Sequence, residues 1–266
     1  MDTYSKKVNH TKKTSIFVCV AFLGVFIVFY SIMSTIAPAK KLAELKSEYG
    51  IQKSEESKLD ENIFSDSAYA SLLKKKAFLQ AKVAMAETDS ICLSLNLEDS
   101  TVVLEISGVK VHETKMRKVQ VSKIIRSGDP NIISNMLSVP LNVLKDYATI
   151  RKEPLMIKMA PKDTSEYKPD IIPDTSDYEP VNYILETNRG LRIFVYQYEE
   201  TTKSERSNLF FFDLNDRLRN IAGSLKNIVA FKVPEYHPYI KIRLPKADAK
   251  IVYRALPRYG QITVYI

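Results

Sequence analysis

IKIRLPKADAKIVYRALPRYGQITVYI, residues 240–266, sets how the rest of the chain is read. From Tyr239 the side chains alternate, with Ile240, Ile242 and Leu244 against Lys241 and Arg243, which is the period of a half-buried strand. Pro245 suits the first turn of a helix, Asp248 complements its positive end, and Pro257 stops it. Ala247, Ile251, Val252, Ala255 and Leu256 supply an apolar face at helical spacing, and Gln261 to Ile266 alternates again as a second strand. The segment therefore reads as strand, helix, strand.

Working outward, period two also governs the chain from Ser90. SICLSLNLE, STVVLEIS, GVKVHETK and MRKVQVSKII are short alternating runs broken at Glu98-Asp99 and Ser107-Gly108, as in successive antiparallel strands. A short helix is expected near Pro130 to Leu137, then an apolar stretch from Leu141 to Ile150 and a strand from Pro154 to Ala160. Asp163 to Pro180, rich in Asp, Pro, Ser, Thr and Tyr, reads as an exposed loop. VNYILETNRGLRIFVYQYEE is a hairpin turning at Asn188 to Gly190. A helix from about Leu214 to Leu225, capped by Asp213 or Asn215, then runs into a strand. The fold class is mainly β with short helices, α+β, with residues 90–266 forming one mixed sandwich or barrel-like sheet.

The N-terminal region differs. Ser15 to Ala37, SIFVCVAFLGVFIVFYSIMSTIA, carries no charge and is long enough to cross a hydrocarbon core of ~30 Å. It exceeds the ~7–15 residues of a secretory apolar region, although Ala37-Pro38-Ala39 faintly mimics a cleavage site. Residues 1–14 form a short tail and 15–37 a transmembrane helix. Residues 38–89 form a helical stalk in two pieces, the first ending at Gly50 and the second resuming after the polar break Ser54 to Asp66. In the second piece Tyr69, Leu72, Leu73, Phe78, Leu79 and Val83 form one apolar face. That face serves either as a seam between copies or as a surface docked on the following domain. Lysines flank the apolar run on both sides, so orientation rests on the size of the C-terminal domain, which places the short tail in the cytoplasm.

Composition removes several classes of function. The net charge of +8 is spread along the chain without dense Lys/Arg blocks among aromatics, so no nucleic-acid partner is expected. Gly numbers only 7, and no phosphate-loop or dinucleotide fingerprint occurs. Cys19 lies in the apolar run and Cys92 opens a strand, so Cys92 reads as a buried small hydrophobe. The 3 histidines are scattered: His10 in the tail, His112 on a strand as a solvent-facing partner of Glu113, and His237 in a loop between Pro234 and Pro238. No metal or cofactor is expected.

The C-terminal segment also resembles the end of the L,D-transpeptidase (YkuD-type) catalytic domain. There, a Gly-Cys-Ile-Arg-Leu-like strand leads to a helix carrying an Asp-Ala…Leu-Tyr…Val-Pro-x-Gly pattern and a final strand. Ile242-Arg243-Leu244, Asp248-Ala249, Val252-Tyr253 and Leu256-Pro257 fall in that order and spacing, and Gly260 follows one residue later than in the pattern. The match covers residues 240–266, and the hairpins from Ser90 to Met116 look like the start of that domain. Family members cleave and re-form peptide crosslinks of bacterial peptidoglycan through a cysteine thiolate assisted by histidine. In this alignment Lys241 stands at the cysteine position, Ile240 at the preceding glycine, and Tyr239 and Pro238 at the His and Ser/Thr before it. No catalytic residue type is kept.

The resemblance thus implies a non-catalytic, single-pass protein of the bacterial inner membrane. Its periplasmic domain holds peptidoglycan or an envelope protein at a groove marked by Arg243, Lys241, Tyr239 and His237. Two alternatives remain open: a hydrolase or transferase with a displaced site using His237, Tyr239 and Lys241, and a scaffold subunit of an envelope machine contacting partners through the Tyr-rich loop Tyr167 to Tyr183.

Overall fold

The computed structural model describes residues 2–50, 67–152, 179–199 and 203–266. The expected polar break, the strand at Pro154 to Ala160, nearly all of the proline-rich loop and most of the Tyr-rich loop lie outside them. The described fold is mixed α+β, with nine strands in one sheet and six helices, the first of them long, N-terminal and apolar. It divides into two compact units, Met1–Glu44 with Asp216–Tyr236, and Leu45–Asn215 with His237–Ile266.

The smaller unit is built on α1 (Asp2–Tyr49), a helix that continues through Pro38. It is long and apolar enough to cross a membrane, which fits an anchor or a signal sequence. Phe22, Val25 and Val28 are exposed. The Ser31 and Thr35 hydroxyls donate to the helix's own carbonyls at Ile27 and Ile32, so neither donor is stranded there. The unit is completed by the second half of α5 (Lys203–Val229) and the segment after it.

The larger unit holds α2 (Ser67–Ala86), β1 (Ile91–Asn96), β2 (Thr101–Ile106), β3 (Val109–Lys115), β4 (Lys118–Val121), α3 (Lys123–Ser127), α4 (Pro130–Leu137), β5 (Leu141–Ala148), β6 (Asn182–Thr187), β7 (Arg192–Gln197), β8 (Tyr239–Leu244), α6 (Lys246–Ala255) and β9 (Gln261–Tyr265). The sheet order is β3-β2-β1-β9-β5-β6-β7-β8-β4. Most pairs are antiparallel, but β9 runs parallel to β1, and β8 parallel to β7. Ser107 and Gly108 both have positive φ, the geometry of the tight turn that joins β2 to β3. Strand β5 pairs with β9 through Leu141 and Asn142 and with β6 from Val143 to Ala148, with an irregularity between Val143 and Lys145, so the two halves of the sheet meet there.

One core joins these elements, with Leu93, Leu95, Val102 and Leu104 from β1 and β2, Ile193 and Val195 from β7, Ile240, Ile242 and Leu244 from β8, and Val252 and Leu256 from α6. Cys92 is buried as a free thiol. Leu45, in the last turns of α1, is 1% exposed within the same core, and the Asn135 side-chain amide donates to the carbonyl of Tyr49.

Several expectations shift in detail. On α2 the buried positions are Ala77, Ala81 and Met85, with Leu72, Leu79 and Val83 exposed. Small residues permit close packing on α4 and β9, and Lys82 Nζ reaches the buried Glu105 carboxylate at 2.7 Å. The α6 core face is Ala249, Val252, Tyr253 and Leu256, while Ile251 turns outward. Helix α5 begins at Lys203 rather than near Leu214, because Leu209 and Phe212 have a surface to cover on β6 and β7. No strand follows it before Tyr239.

Candidate functional site

Alternation along β8 separates two faces. Ile240, Ile242 and Leu244 enter the core, while Tyr239, Lys241 and Arg243 stand half buried on the opposite face. Register extends that face across neighbouring strands. Lys241 lies beside Phe194 of β7 and Gln120 of β4, and Arg243 beside Tyr196 and Lys118. Gln120 and Lys118 are exposed, and β4 is the edge of the sheet, so the face is open on that side. On the other side Leu209 and Phe212 of α5 pack over Ile184, Phe194 and Tyr196, and the Tyr196 hydroxyl donates to Asp213 at 2.9 Å. Asp213 thus acts as a tether for α5 instead of the expected cap.

The Lys241 ammonium sits 4.8 Å from the centroid of Phe194 and 5.3 Å from that of Tyr239. The two rings meet edge to face at 6.3 Å. Contacts with both ring faces fix the position of the ammonium on the sheet. Arg192 stacks on Phe194 at 5.0 Å and pairs with Glu186 at 3.1 Å. Arg243 forms no ion pair with any described residue. The result is a shelf of cations and aromatics at an open sheet edge, suited to carboxylates on an extended chain.

Of the four sequence-derived residues, Tyr239, Lys241 and Arg243 share this face. His237 lies half buried just before β8, and its ring bonds to no described side chain. Phe194, Arg192, Tyr196, Lys118 and Gln120 were not anticipated. The signal for β7 was its unbroken apolar and aromatic run, RIFVYQ, which is buried at every position.

His112 departs from expectation in a different way. Its Nε2 lies 3.1 Å from Asp248 Oδ1, while the Thr114 hydroxyl donates to Asp248 Oδ2 at 2.6 Å. These residue types suggest a hydrolytic triad, but the hydroxyl is spent on the carboxylate and not on the imidazole, so no nucleophile is activated. The trio ties β3 to the first turn of α6. A second polar cluster joins Asp146, Tyr253 and Lys152. The Tyr253 hydroxyl donates to Asp146 at 2.8 Å, and Lys152 lies 3.7 Å from the same carboxylate. Burial lowers the Lys152 pKa against the opposing pull of Asp146. Among the described residues no three His, Cys, Asp or Glu side chains gather as a metal site. No family model, curated protein or solved structure matches the chain.

Proposed function

We propose that this chain is a non-catalytic, membrane-tethered relative of the L,D-transpeptidases, with the β-rich domain in the periplasm of a bacterium and residues 15–37 in the inner membrane. The shelf on β7, β8 and β4 holds the carboxylate-bearing peptide stems of peptidoglycan. One observation carries the reading. At the strand position that the resemblance aligns with the family's thiolate, the Lys241 ammonium lies over the rings of Phe194 and Tyr239, which supports a change from nucleophile to ligand-binding charge within a strand–helix–strand segment. Arg243 and Lys118, adjacent on the open edge, add two cations.

The test is cosedimentation of the full chain, in detergent, with purified peptidoglycan sacculi. The wild type pellets with the sacculi. A Lys241→Ala, Arg243→Ala double variant loses about tenfold or more in affinity, as expected for removing charge-assisted contacts. A chain that stays in the supernatant overturns peptidoglycan as the ligand and turns the search toward an envelope protein. Turnover of muropeptides by the wild type overturns the non-catalytic reading.

A further inference from the structure

The smaller unit is unusual for a protein held by one helix. Along α1 the positions withdrawn from solvent, Phe26, Phe29, Tyr30, Met33 and Ala37, recur at three- and four-residue steps and fall inside Ser15 to Ala37. Phe29 meets Phe231 edge to face, with ring centroids 6.1 Å apart. Phe231 follows α5, so a segment from the far end of the sequence lies beside the apolar run about 12 Å of helix before Ala37.

That segment carries its own outward apolar surface. Leu218, Ile221 and Val229 on the second half of α5 are 53%, 40% and 69% exposed, and Phe231 is 83% exposed. Arg217, Lys226 and Lys232 border them. An apolar stripe edged by basic side chains is the pattern of a helix lying in a membrane interface.

The turn after the helix is built for the same medium. Phe231 N–H donates to the Ile228 carbonyl at 2.9 Å and Lys232 N–H to the Asn227 carbonyl at 2.8 Å, which closes the helix end internally. A backbone satisfied in this way tolerates hydrocarbon. The residue at the left-handed position, usually glycine, is Phe231 with φ of 53°. A bulky ring held there and turned outward is hard to explain in water.

Where the apolar run ends, a cleft of about 230 Å³ opens between Ala37–Glu44 and Asn227–Tyr236, lined by Lys40, Lys41, Lys232, Glu235 and Tyr236. Lysines and tyrosine are the residues that settle at the headgroup level.

We infer that the second half of α5 and its turn, residues 216–233, form a second membrane-embedded element. It packs on α1 and places Leu218, Ile221, Val229 and Phe231 among the acyl chains of the leaflet that the Ala37 end of α1 enters. This rests on Ser15 to Ala37 spanning the bilayer. The apolar surface is continuous with that of α1, and the basic border matches lipid phosphates.

The chain contains no tryptophan, so a single introduced indole reports its local surroundings directly. Phe231→Trp and, in case that side chain is needed for folding, Val229→Trp are made in the full chain. They are reconstituted in phosphatidylcholine–phosphatidylglycerol vesicles beside two controls, Phe22→Trp on α1 and Tyr259→Trp at an exposed site on the larger unit. The expected result is that the Phe231→Trp and Val229→Trp proteins emit at shorter wavelength than the Tyr259→Trp protein. They should also lose most of their intensity to lipids brominated in the acyl chain, as the Phe22→Trp protein does. Aqueous iodide should quench the Tyr259→Trp protein alone. If brominated lipid quenches the Phe22→Trp protein while the two α5 variants respond only to iodide, the inference is overturned and the anchor stands. If the Phe22→Trp protein also responds only to iodide, both fall.

Discussion

Tyr183 illustrates how a single atom can set a stability profile. Its side chain is fully buried in β6, its ring lies 4.9 Å from that of Tyr253, and its hydroxyl has no hydrogen-bond partner among the described residues. An unpaired buried hydroxyl costs more than it returns. Tyr183→Phe is therefore expected to stabilise the fold by about 1 kcal/mol, a rise of ~2–4 °C in Tm by calorimetry. Burial also raises the Tyr183 and Tyr253 pKa values, with the Asp146 contact adding to the second. Both phenols stay protonated in the folded state at pH values where the unfolded chain ionises them, above the ordinary 10.0. Their contribution is level below pH 10 and is lost as pH rises beyond it. Chemical denaturation across pH 9 to 11.5 should show that decline, and Tyr183→Phe should make it shallower. None of this was legible in the sequence. Nothing in the spacing of the α6 face marks Tyr253 as a partner of Tyr183, since their pairing crosses 70 residues of chain. The His112–Asp248 contact spans more still, so alternation alone left His112 facing solvent.

Elements were more readable than the contacts between them. Strands β1 to β4 and the β6–β7 hairpin fall where alternating or continuous apolar runs place them, although β1, β2, β6 and β7 bury nearly every position and not one face alone. What alternation could not reveal was that β4 leaves its sequence neighbour β3 and pairs with β8, the step that opens the shelf beside Lys241. In α2 the larger residues looked like the buried face, yet alanines won because they allow the closest approach to α4 and β9. The Lys82–Glu105 bond ties α2 to β2, with the Glu105 side chain 4% exposed and the lysine 29%. Lys82→Ala would leave a buried carboxylate unpaired. It should cost about 3 kcal/mol in urea unfolding, at the low end for a buried pair because the lysine keeps some water. The end of α1 gives a second test. Leu45→Ala should cost about 2–5 kcal/mol, whereas Leu42→Ala, at a position 41% exposed, should change the same unfolding curve little.

At the scale of the whole molecule, the proposed function links location and ligand. Leu45, eight residues beyond Ala37, already belongs to the core of the larger unit. Under the proposed function, a shelf so close in sequence to a membrane-spanning helix has a high effective concentration for ligands near the membrane. Gly24→Arg, in the middle of the apolar run, adds about 2.5–3.5 kcal/mol to insertion and should shift the protein from the carbonate-resistant membrane fraction into the soluble one. Full retention in membranes would place the attachment elsewhere.

Strand β9, residues 261–265, lies between β1 and β5 and joins the two halves of the sheet. The ribosome makes β1 some 170 residues earlier, so early strands have no central partner until translation reaches Tyr265. A chain interrupted before Gln261 is left with two unpaired edges where the sheet should be continuous, a form open to proteases and prone to aggregation. Central placement of a late strand thus delays the joining of the two halves: β1 and β5 are bridged only once residues 261–265 have been made.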